Sequence, residues 1–321
     1  MIGGCVFLSK LLILLSLTLV FLGCCETVIA INGVFVQGYD MYKVDFVKLK
    51  ENNITEIYLY SGAVMSYGDQ KVSDWINEAH KNGLKVNMVV PIFQENGRWH
   101  NPTNQAHVNK KLGEIDRYIK LGVDGINLDY IRYRGDAYKY KNADSHITSF
   151  VKKVNDKTKP KGLKLSLCIM PEPDNGIRYY GQNIKELSKN SDELSVMIYK
   201  GNYKKNSKWI LETTKWYVEN SHCTVKPILQ AYRSDNNLNL LSDHELSQDT
   251  WSCINAGAKE VSYFQLSFMN MFPLNKYVTS NDTVPVNEEI QDPVNEFDNW
   301  LNQLSDDIDD ISESIDDGLK F

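Results

Sequence analysis

Eight strand-like segments alternate with helical segments along this chain of 321 residues, and this alternation limits the possible folds more than any other feature. The predicted strands lie at residues 31–36, 56–60, 85–93, 123–129, 163–170, 193–199, 225–230 and 260–266. Amphipathic helical segments such as residues 72–82 separate them. Such alternation predicts a parallel sheet. Eight repeats within about 240 residues, without a phosphate-binding glycine motif, favour an α/β fold of the closed (β/α)8 TIM-barrel type over residues 30–270.

Polar side chains gather where the predicted strands end. In a barrel of this kind, the carboxyl ends of all strands form one face, and that face carries the active site. The candidate residues at these ends are Asp40, Asp129, Arg132, Tyr133, Glu172, Tyr199, Lys200, Gln230 and Gln265. The predicted turns at the opposite end carry ordinary Asn, Lys and Gly residues. The sequence therefore predicts one polar site at the mouth of the barrel.

Two carboxylates follow adjacent strands, Asp129 the fourth and Glu172 the fifth. Glycoside hydrolysis uses such a pair: one carboxylic acid protonates the leaving oxygen, and one carboxylate acts as nucleophile or base. Tyrosine, tryptophan and amide side chains nearby suit sugar rings, which present an apolar face and many hydroxyls. We predict that Asp129 is the nucleophile or base, that Glu172 is the acid, and that the other seven candidates position a polysaccharide.

The same residues allow other interpretations. Asp129 could simply pair with Arg132, and Glu172, which lies between two prolines, could be a surface turn residue. Tyr199 could be a packing residue with a satisfied hydroxyl. Lys200 could pair with Asp129 and lower its pKa, or it could hold a carboxylate of the substrate.

Residues 124–133 read Asp-Gly-Ile-Asn-Leu-Asp-Tyr-Ile-Arg-Tyr. This stretch resembles the fourth-strand motif of a family of glycoside-hydrolase-like TIM barrels, Asp-Gly-Ile-x-Leu-Asp-Tyr-Ile-Arg-Tyr, and the resemblance covers most of residues 32–269. It implies a (β/α)8 fold and hydrolysis of glycosidic bonds. The family's fourth-strand Asp and fifth-strand acid correspond to Asp129 and Glu172. The motif says little about the substrate.

The same stretch is distantly similar to family 18 chitinases, whose fourth strand carries Asp-Gly-x-Asp-x-Asp-x-Glu. Asn127 stands at the position of the middle Asp, and Ile131 stands at the position of the catalytic Glu. Residues 197–199 resemble the Met-x-Tyr-Asp of the sixth strand, with Lys200 in place of the final Asp. These departures keep open a second function, that of a non-catalytic, glycan-binding surface protein on a TIM-barrel scaffold.

The amino terminus resembles a targeting segment. Lys10 precedes an apolar run over residues 11–22, and Cys24 and Cys25 follow it. This order is typical of a signal peptide or a membrane anchor, which we expect over residues 1–25. The remainder is then expected to be extracellular or at the cell surface, as a secreted, lipoprotein or signal-anchored form. Any membrane contact is expected through this segment only.

The carboxyl terminus is strongly acidic. Residues 287–321 contain twelve Asp or Glu and one Lys, whereas the whole chain has a formal net charge of −6. Apolar residues recur there at spacings of four and three, which predicts a heptad-patterned amphipathic helix after a linker over residues 271–286. The helix could pack on its own barrel, self-associate or bind a partner. The net charge gives no reason to expect a nucleic-acid partner.

Two cysteines are candidates for a disulfide. Cys223 precedes the seventh predicted strand, and Cys253 falls late in the helix that follows that strand. Strand starts and helix ends meet at the same face of a barrel, so a disulfide is geometrically plausible, and export would permit it. Two free thiols are the alternative. No CxxC pair or His/Cys cluster suggests a metal, and no cofactor is expected.

Overall fold

The computed structural model describes residues 32–269, which form a closed barrel of eight parallel strands with helices around it. The strands are β1 (Asn32–Val36), β2 (Ile54–Tyr60), β3 (Lys85–Pro91), β4 (Gly125–Asp129), β5 (Lys164–Ile169), β6 (Glu193–Met197), β7 (Thr224–Gln230) and β8 (Ser262–Phe264). Each strand pairs with its neighbours in chain order, and β8 pairs with β1. The predicted (β/α)8 fold is confirmed. The predicted segments at residues 1–25, 271–286 and 287–321 lie outside the described residues.

Helices connect successive strands. They are α1 (Phe46–Glu51), α2 (Gly62–Tyr67), α3 (Asp69–Lys81), α4 (Gln105–Ile119), α5 (Ala143–Thr158), α6 (Ile184–Ser188), α7 (Ser207–Asn220) and α8 (Asp243–Asn255). Polar residues cap several of them: Asn104, for example, accepts the backbone N–H of His107, and Ser242 forms a capping box with Glu245. Within residues 32–269, no helix is both long enough and apolar enough to cross a membrane.

Side-chain alternation along β4 separates two interiors. Ile126 and Leu128 are fully buried in the large core between the strands and the helices. Asn127 lies inside the barrel, where it donates hydrogen bonds to Ser166 at 2.8 Å and to Ser195 at 3.3 Å. Because strand side chains alternate with a period of two, Asp129 also points inward, at the carboxyl end.

Charged side chains fill the amino-terminal end of the barrel interior. Lys226 is fully buried, and its ammonium lies 2.7 Å from Glu56, 2.9 Å from Glu260 and 3.5 Å from Glu193. Burial alone would raise the pKa of Glu56, but the attraction of Lys226 and Lys164 outweighs it and lowers that pKa from 4.5 to about 2. This buried charge cluster was not predicted from the sequence.

The disulfide predicted between Cys223 and Cys253 is not formed, because both residues are free thiols. Cys253 is completely buried on the side of α8 that faces α7, where the Thr214 hydroxyl contacts its sulfur at 3.7 Å. Cys223 lies beside Ser191, with 3.8 Å between the sulfur and the hydroxyl oxygen. The alternative of two free thiols therefore holds, because the Cys253 sulfur faces Thr214 of α7 while Cys223 lies beside Ser191.

Candidate active site

The first residues of the fourth-strand motif have structural roles. Asp124 precedes β4, and its carboxylate accepts the backbone N–H of Val86 at 2.7 Å, which fixes the start of the strand. Gly125 leaves no room for a side chain, because a Cβ there would lie 2.7 Å from the carbonyl oxygen of Lys164. These two contacts set the position of β4, and the strand in turn brings Asp129 to the mouth of the barrel.

Asp129 accepts a hydrogen bond on each carboxylate oxygen. The Tyr60 hydroxyl donates to Oδ2 at 3.0 Å, and the backbone N–H of Tyr130 donates to Oδ1 at 2.7 Å. Tyr130 has a left-handed backbone, with φ of +48°, a conformation that tends to persist at functional sites when the surroundings stabilise it. Arg132 forms no ion pair with Asp129, so the interpretation of Asp129 as a simple partner of Arg132 is wrong.

Burial dominates the electrostatics of Asp129. Its side chain is almost fully inaccessible, and burial raises the pKa of the carboxyl above its usual value. The Tyr130 N–H, the Tyr60 hydroxyl and the positive charge of Arg132 favour the anion but offset only part of this effect. An acid with a raised pKa at the mouth of a barrel is a pattern that marks candidate catalytic groups.

Glu172 lies in the turn that follows β5 and is held by two tyrosines. Its Oε1 accepts the hydroxyl of Tyr180 at 2.7 Å and that of Tyr203 at 2.8 Å. Its Oε2 is buried and has no hydrogen-bond partner within residues 32–269. Tyr180 belongs to a π-helical turn, Gly176–Tyr180, an irregularity that is frequent at functional sites. Glu172 is therefore not an exposed turn residue.

Arg132 contacts aromatic residues that lie next to both carboxylates. The central carbon of its guanidinium is 4.7 Å from the ring centre of Trp99, 5.5 Å from that of Tyr130 and 5.4 Å from that of Tyr180. Tyr130 follows Asp129 directly, and Tyr180 donates to the other carboxylate. The structure thus brings both predicted catalytic residues and Arg132 into one part of the mouth.

Two further candidates line the barrel mouth. The ring of Tyr199 packs against Phe264, with 5.6 Å between ring centres, and burial, followed by nearby negative groups that include Asp129, raises the pKa of its hydroxyl well above 10. Gln230 is buried, and its amide donates to Asp235 at 2.9 Å, whereas its Oε1 has no partner within the described residues. Contact of either residue with a sugar stays a prediction.

Asp40 and Gln265 follow β1 and β8, which are neighbours in the barrel. Asp40 is buried, and its carboxylate pairs with the ammonium of Lys43 at 2.6 Å. Gln265 accepts a hydrogen bond from the amide of Gln37 at 2.6 Å. Both side chains lie at the predicted face, and their roles in substrate binding stay predictions.

Tyr133 and Lys200 are engaged elsewhere. The Tyr133 hydroxyl lies 2.8 Å from the Nδ1 of His146, and only 3% of this residue is exposed. Lys200 pairs with Asp249 of α8 at 2.7 Å, so the predicted pair with Asp129 is wrong. The reason is that Asp249, a buried acid on α8, already neutralises this lysine. We therefore leave both residues out of the proposed site.

Sequence reasoning missed most of the aromatic residues that surround the pair. Tyr60 could have been chosen, because it ends β2 at the polar face. Trp99 belongs to a two-stranded hairpin, Gln94–Glu95 with Arg98–Trp99, and Tyr180 and Tyr203 lie in connecting segments. No spacing rule relates these segments to the acids, so only the folded chain reveals the contacts.

The mouth is built from two carboxylates, one arginine and a surrounding set of tyrosines and tryptophan. Within residues 32–269, no group of three or more His, Cys, Asp and Glu side chains is arranged to bind a metal ion. Acids at the carboxyl ends of adjacent strands of a (β/α)8 barrel are the arrangement found in glycoside hydrolases. The fold and the site thus define a glycoside-hydrolase-like barrel.

The chain belongs to the family described as "Putative glycosyl hydrolase domain", whose model matches residues 65–236, more than half of its length. No curated protein matches the sequence significantly.

The fold is similar to that of several solved structures. One is the C-terminal domain of a "putative chitinase" from Desulfitobacterium hafniense, with 13% identity, a TM-score of 0.61, and coverage of 75% of this chain and 95% of that one. A chitinase from Chromobacterium violaceum has 14% identity, a TM-score of 0.58 and coverages of 75% and 95%. An endo-1,4-beta-D-mannanase from Thermotoga petrophila has 10% identity, a TM-score of 0.54 and coverages of 74% and 88%. At these identities the likeness concerns the fold alone.

Proposed function

We propose that this protein is a glycoside hydrolase that cleaves a cell-wall or extracellular polysaccharide by a two-carboxylate mechanism. Asp129 acts as nucleophile or base, and Glu172 acts as general acid. The observation that carries the proposal is the contrast between the two carboxyl groups, which lie on adjacent strand ends and have different hydrogen-bond partners. The leader-like sequence of residues 1–25 supports action outside the cytoplasmic membrane.

The hydrogen bonds suit these two roles. Donors reach both oxygens of Asp129, at 3.0 and 2.7 Å, and favour its anion against the effect of burial. A nucleophile or base must be ionised when it attacks or removes a proton. In Glu172, both tyrosine hydroxyls bind one oxygen, which leaves the buried Oε2 free to carry a proton towards the leaving oxygen. A general acid needs one carboxyl oxygen from which a proton can reach the leaving oxygen.

The surroundings suit a glycan. Trp99, Tyr130 and Tyr180 present aromatic faces and edges around Arg132, and such rings can pack on the apolar face of a sugar. The family match, described as a glycosyl hydrolase domain, supports a glycan substrate, and the neighbours named chitinase and mannanase share the fold.

Hydrolysis of a polysaccharide panel tests the proposal. We expect the wild-type chain to release reducing ends from at least one cell-wall polysaccharide, and we expect Glu172→Gln to abolish most of this release. Asp174→Asn is a matched control, because it removes an exposed carboxylate from the same turn and should leave the rate unchanged. Retention of the wild type on a polysaccharide without hydrolysis would instead favour the glycan-binding alternative, which the burial of Ile131 at the chitinase Glu position also favours.

The raised pKa of Asp129 predicts the acidic limb of the pH profile. A group with this role is active when ionised, so kcat/KM should fall as the pH falls through its pKa. Because burial raises that pKa above the ordinary value of 3.8, the loss should begin at a higher pH than for an exposed aspartate. Tyr60→Phe removes a donor to the anion and should move this limb further upward. An acidic limb centred below 3.8 would contradict this assignment.

A further inference from the structure

The guanidinium of Arg132 lacks an anionic partner. Its Nη1 donates only to backbone carbonyl oxygens, at 3.1 Å to Tyr133 and 3.3 Å to Arg134. Its Nε is buried and has no hydrogen-bond partner within the described residues. No carboxylate of residues 32–269 forms an ion pair with it. In contrast, Lys111, Lys200 and Lys226, which are buried or half-buried, each form an ion pair with an acid.

Burying a cation without an anionic partner is energetically unfavourable, and the pKa of Arg132 reflects this. Burial lowers the pKa of the guanidinium, and the nearby Tyr180 and Asp129 offset this only in part. Aromatic faces attract a cation but do not accept the in-plane hydrogen bonds of a guanidinium. A planar anion with two oxygens would satisfy those donors.

The loops beside Arg132 carry further cations. Arg134, Lys139 and Lys141 after β4 and Arg178 after β5 are exposed, and none of the four forms an ion pair within the described part of the chain. Residues 132–142 contain Asp136 as the one acid beside four cations. Uncompensated charge of one sign at the rim of a cleft attracts ligands of the opposite sign.

We propose that Arg132 binds a carboxylate carried by the sugar chain, so that the ligand of the mouth is an acidic polysaccharide. This inference rests on the proposed function, since it assigns the substrate class of the same site. Arg132 is a binding residue: it pairs with the carboxylate of a sugar next to the scissile bond, while the exposed cations of the two loops attract neighbouring acidic residues. The carboxylate can belong to the ring of a uronic acid or to an ether-linked side chain such as that of muramic acid.

Calorimetric titration of the full chain in the non-hydrolysing Glu172→Gln form tests this assignment. The probes are hexagalacturonate, peptide-free peptidoglycan strands and neutral chitohexaose, and the two acidic probes distinguish the two sources of the carboxylate. We expect one acidic probe to bind at least about 10-fold more tightly than the neutral probe, with affinity that falls as salt rises. Adding Arg132→Met should weaken that binding about 10- to 100-fold and leave neutral binding unchanged.

Two controls keep the test specific. Arg117→Met removes the same charge from the outer surface of α4, where Arg117 pairs with Asp69, and should not alter binding. Arg132→Lys keeps the charge without the planar fork and should restore part of the affinity. Equal binding of acidic and neutral probes, or wild-type binding that salt does not weaken, would overturn the inference. Acidic preference without any hydrolysis would sustain it and overturn the proposed function, whereas hydrolysis of neutral glycans alone would do the reverse.

Discussion

The Lys226→Met variant is expected to unfold with a free energy about 3–5 kcal/mol lower than that of the wild type. Lys226 lies inside the barrel at 2.7 Å from Glu56, and Glu193 and Glu260 also contact it. Methionine fills a similar volume but leaves Glu56 and Glu260 without their nearest positive charge and Glu193 with Lys164 alone. Urea unfolding followed by circular dichroism measures the difference. Lys164 is the other lysine of the cluster, and it does not reach every acid.

A surface lysine provides the control for this measurement. Lys215→Met breaks an exposed pair with Glu219, whose charged atoms are 3.9 Å apart, and should change stability by less than about 1 kcal/mol. A loss for Lys226→Met as small as that of the control would show that the buried cluster is not needed for stability.

The acid dependence of stability follows from the same cluster. The pKa of Glu56 is about 2 in the folded chain and near its ordinary 4.5 in the unfolded chain. A lowered pKa contributes stability above pH 4.5, and this contribution is lost as the pH falls from about 4.5 to about 2. In Lys226→Met the attraction that lowers this pKa is weaker, so this part of the acid dependence should shrink.

The two catalytic assignments predict that the Glu172 and Asp129 variants differ in activity on a substrate with a better leaving group. Glu172→Gln should lower kcat/KM on the polysaccharide by about 10²- to 10⁴-fold, because the leaving sugar oxygen then departs without a proton. A dinitrophenyl glycoside of the same sugar has a leaving group that needs no proton, so the variant should approach wild-type activity on it. Asp129→Asn removes the nucleophile or base and should lose activity on both substrates.

This contrast separates chemistry from folding. Circular dichroism and thermal unfolding of both variants confirm that the barrel is intact, and Asp174→Asn again provides the matched exposed acid. Equal losses on the two substrates in Glu172→Gln would contradict the role of general acid. Full activity of Asp129→Asn on either substrate would remove that residue from the mechanism.

The fold was predictable because local patterns decide it. A period of two in the strands and an amphipathic period in helices such as residues 72–82 place apolar side chains between sheet and helices. With eight such units in order, the parallel sheet is buried by closing into a barrel. The positions of Asp129 and Glu172 at the polar end follow from the same pattern.

The missed features depend on contacts between distant segments. Lys226 and Glu56 are 170 positions apart and meet across the barrel, so no spacing in the sequence relates them. Tyr203, in the loop after β6, donates a hydrogen bond to Glu172, which follows β5. Lys200 pairs with Asp249 on α8. Strand ends predict which residues share a face, whereas their partners depend on loop geometry and helix rotation.

The most direct test of Asp129 and Glu172 as one catalytic pair uses the polysaccharide that the wild type hydrolyses fastest. The hydrolysis rate of this substrate is measured for Asp129→Asn, Glu172→Gln and the double variant. Two carboxylates that serve one reaction lose their joint effect when either is removed. We therefore predict that the double variant is about as slow as the slower single variant. Rates in which the two losses multiply, or a double variant that still hydrolyses the polysaccharide at the wild-type rate, would contradict the assignment of Asp129 and Glu172 as one catalytic pair.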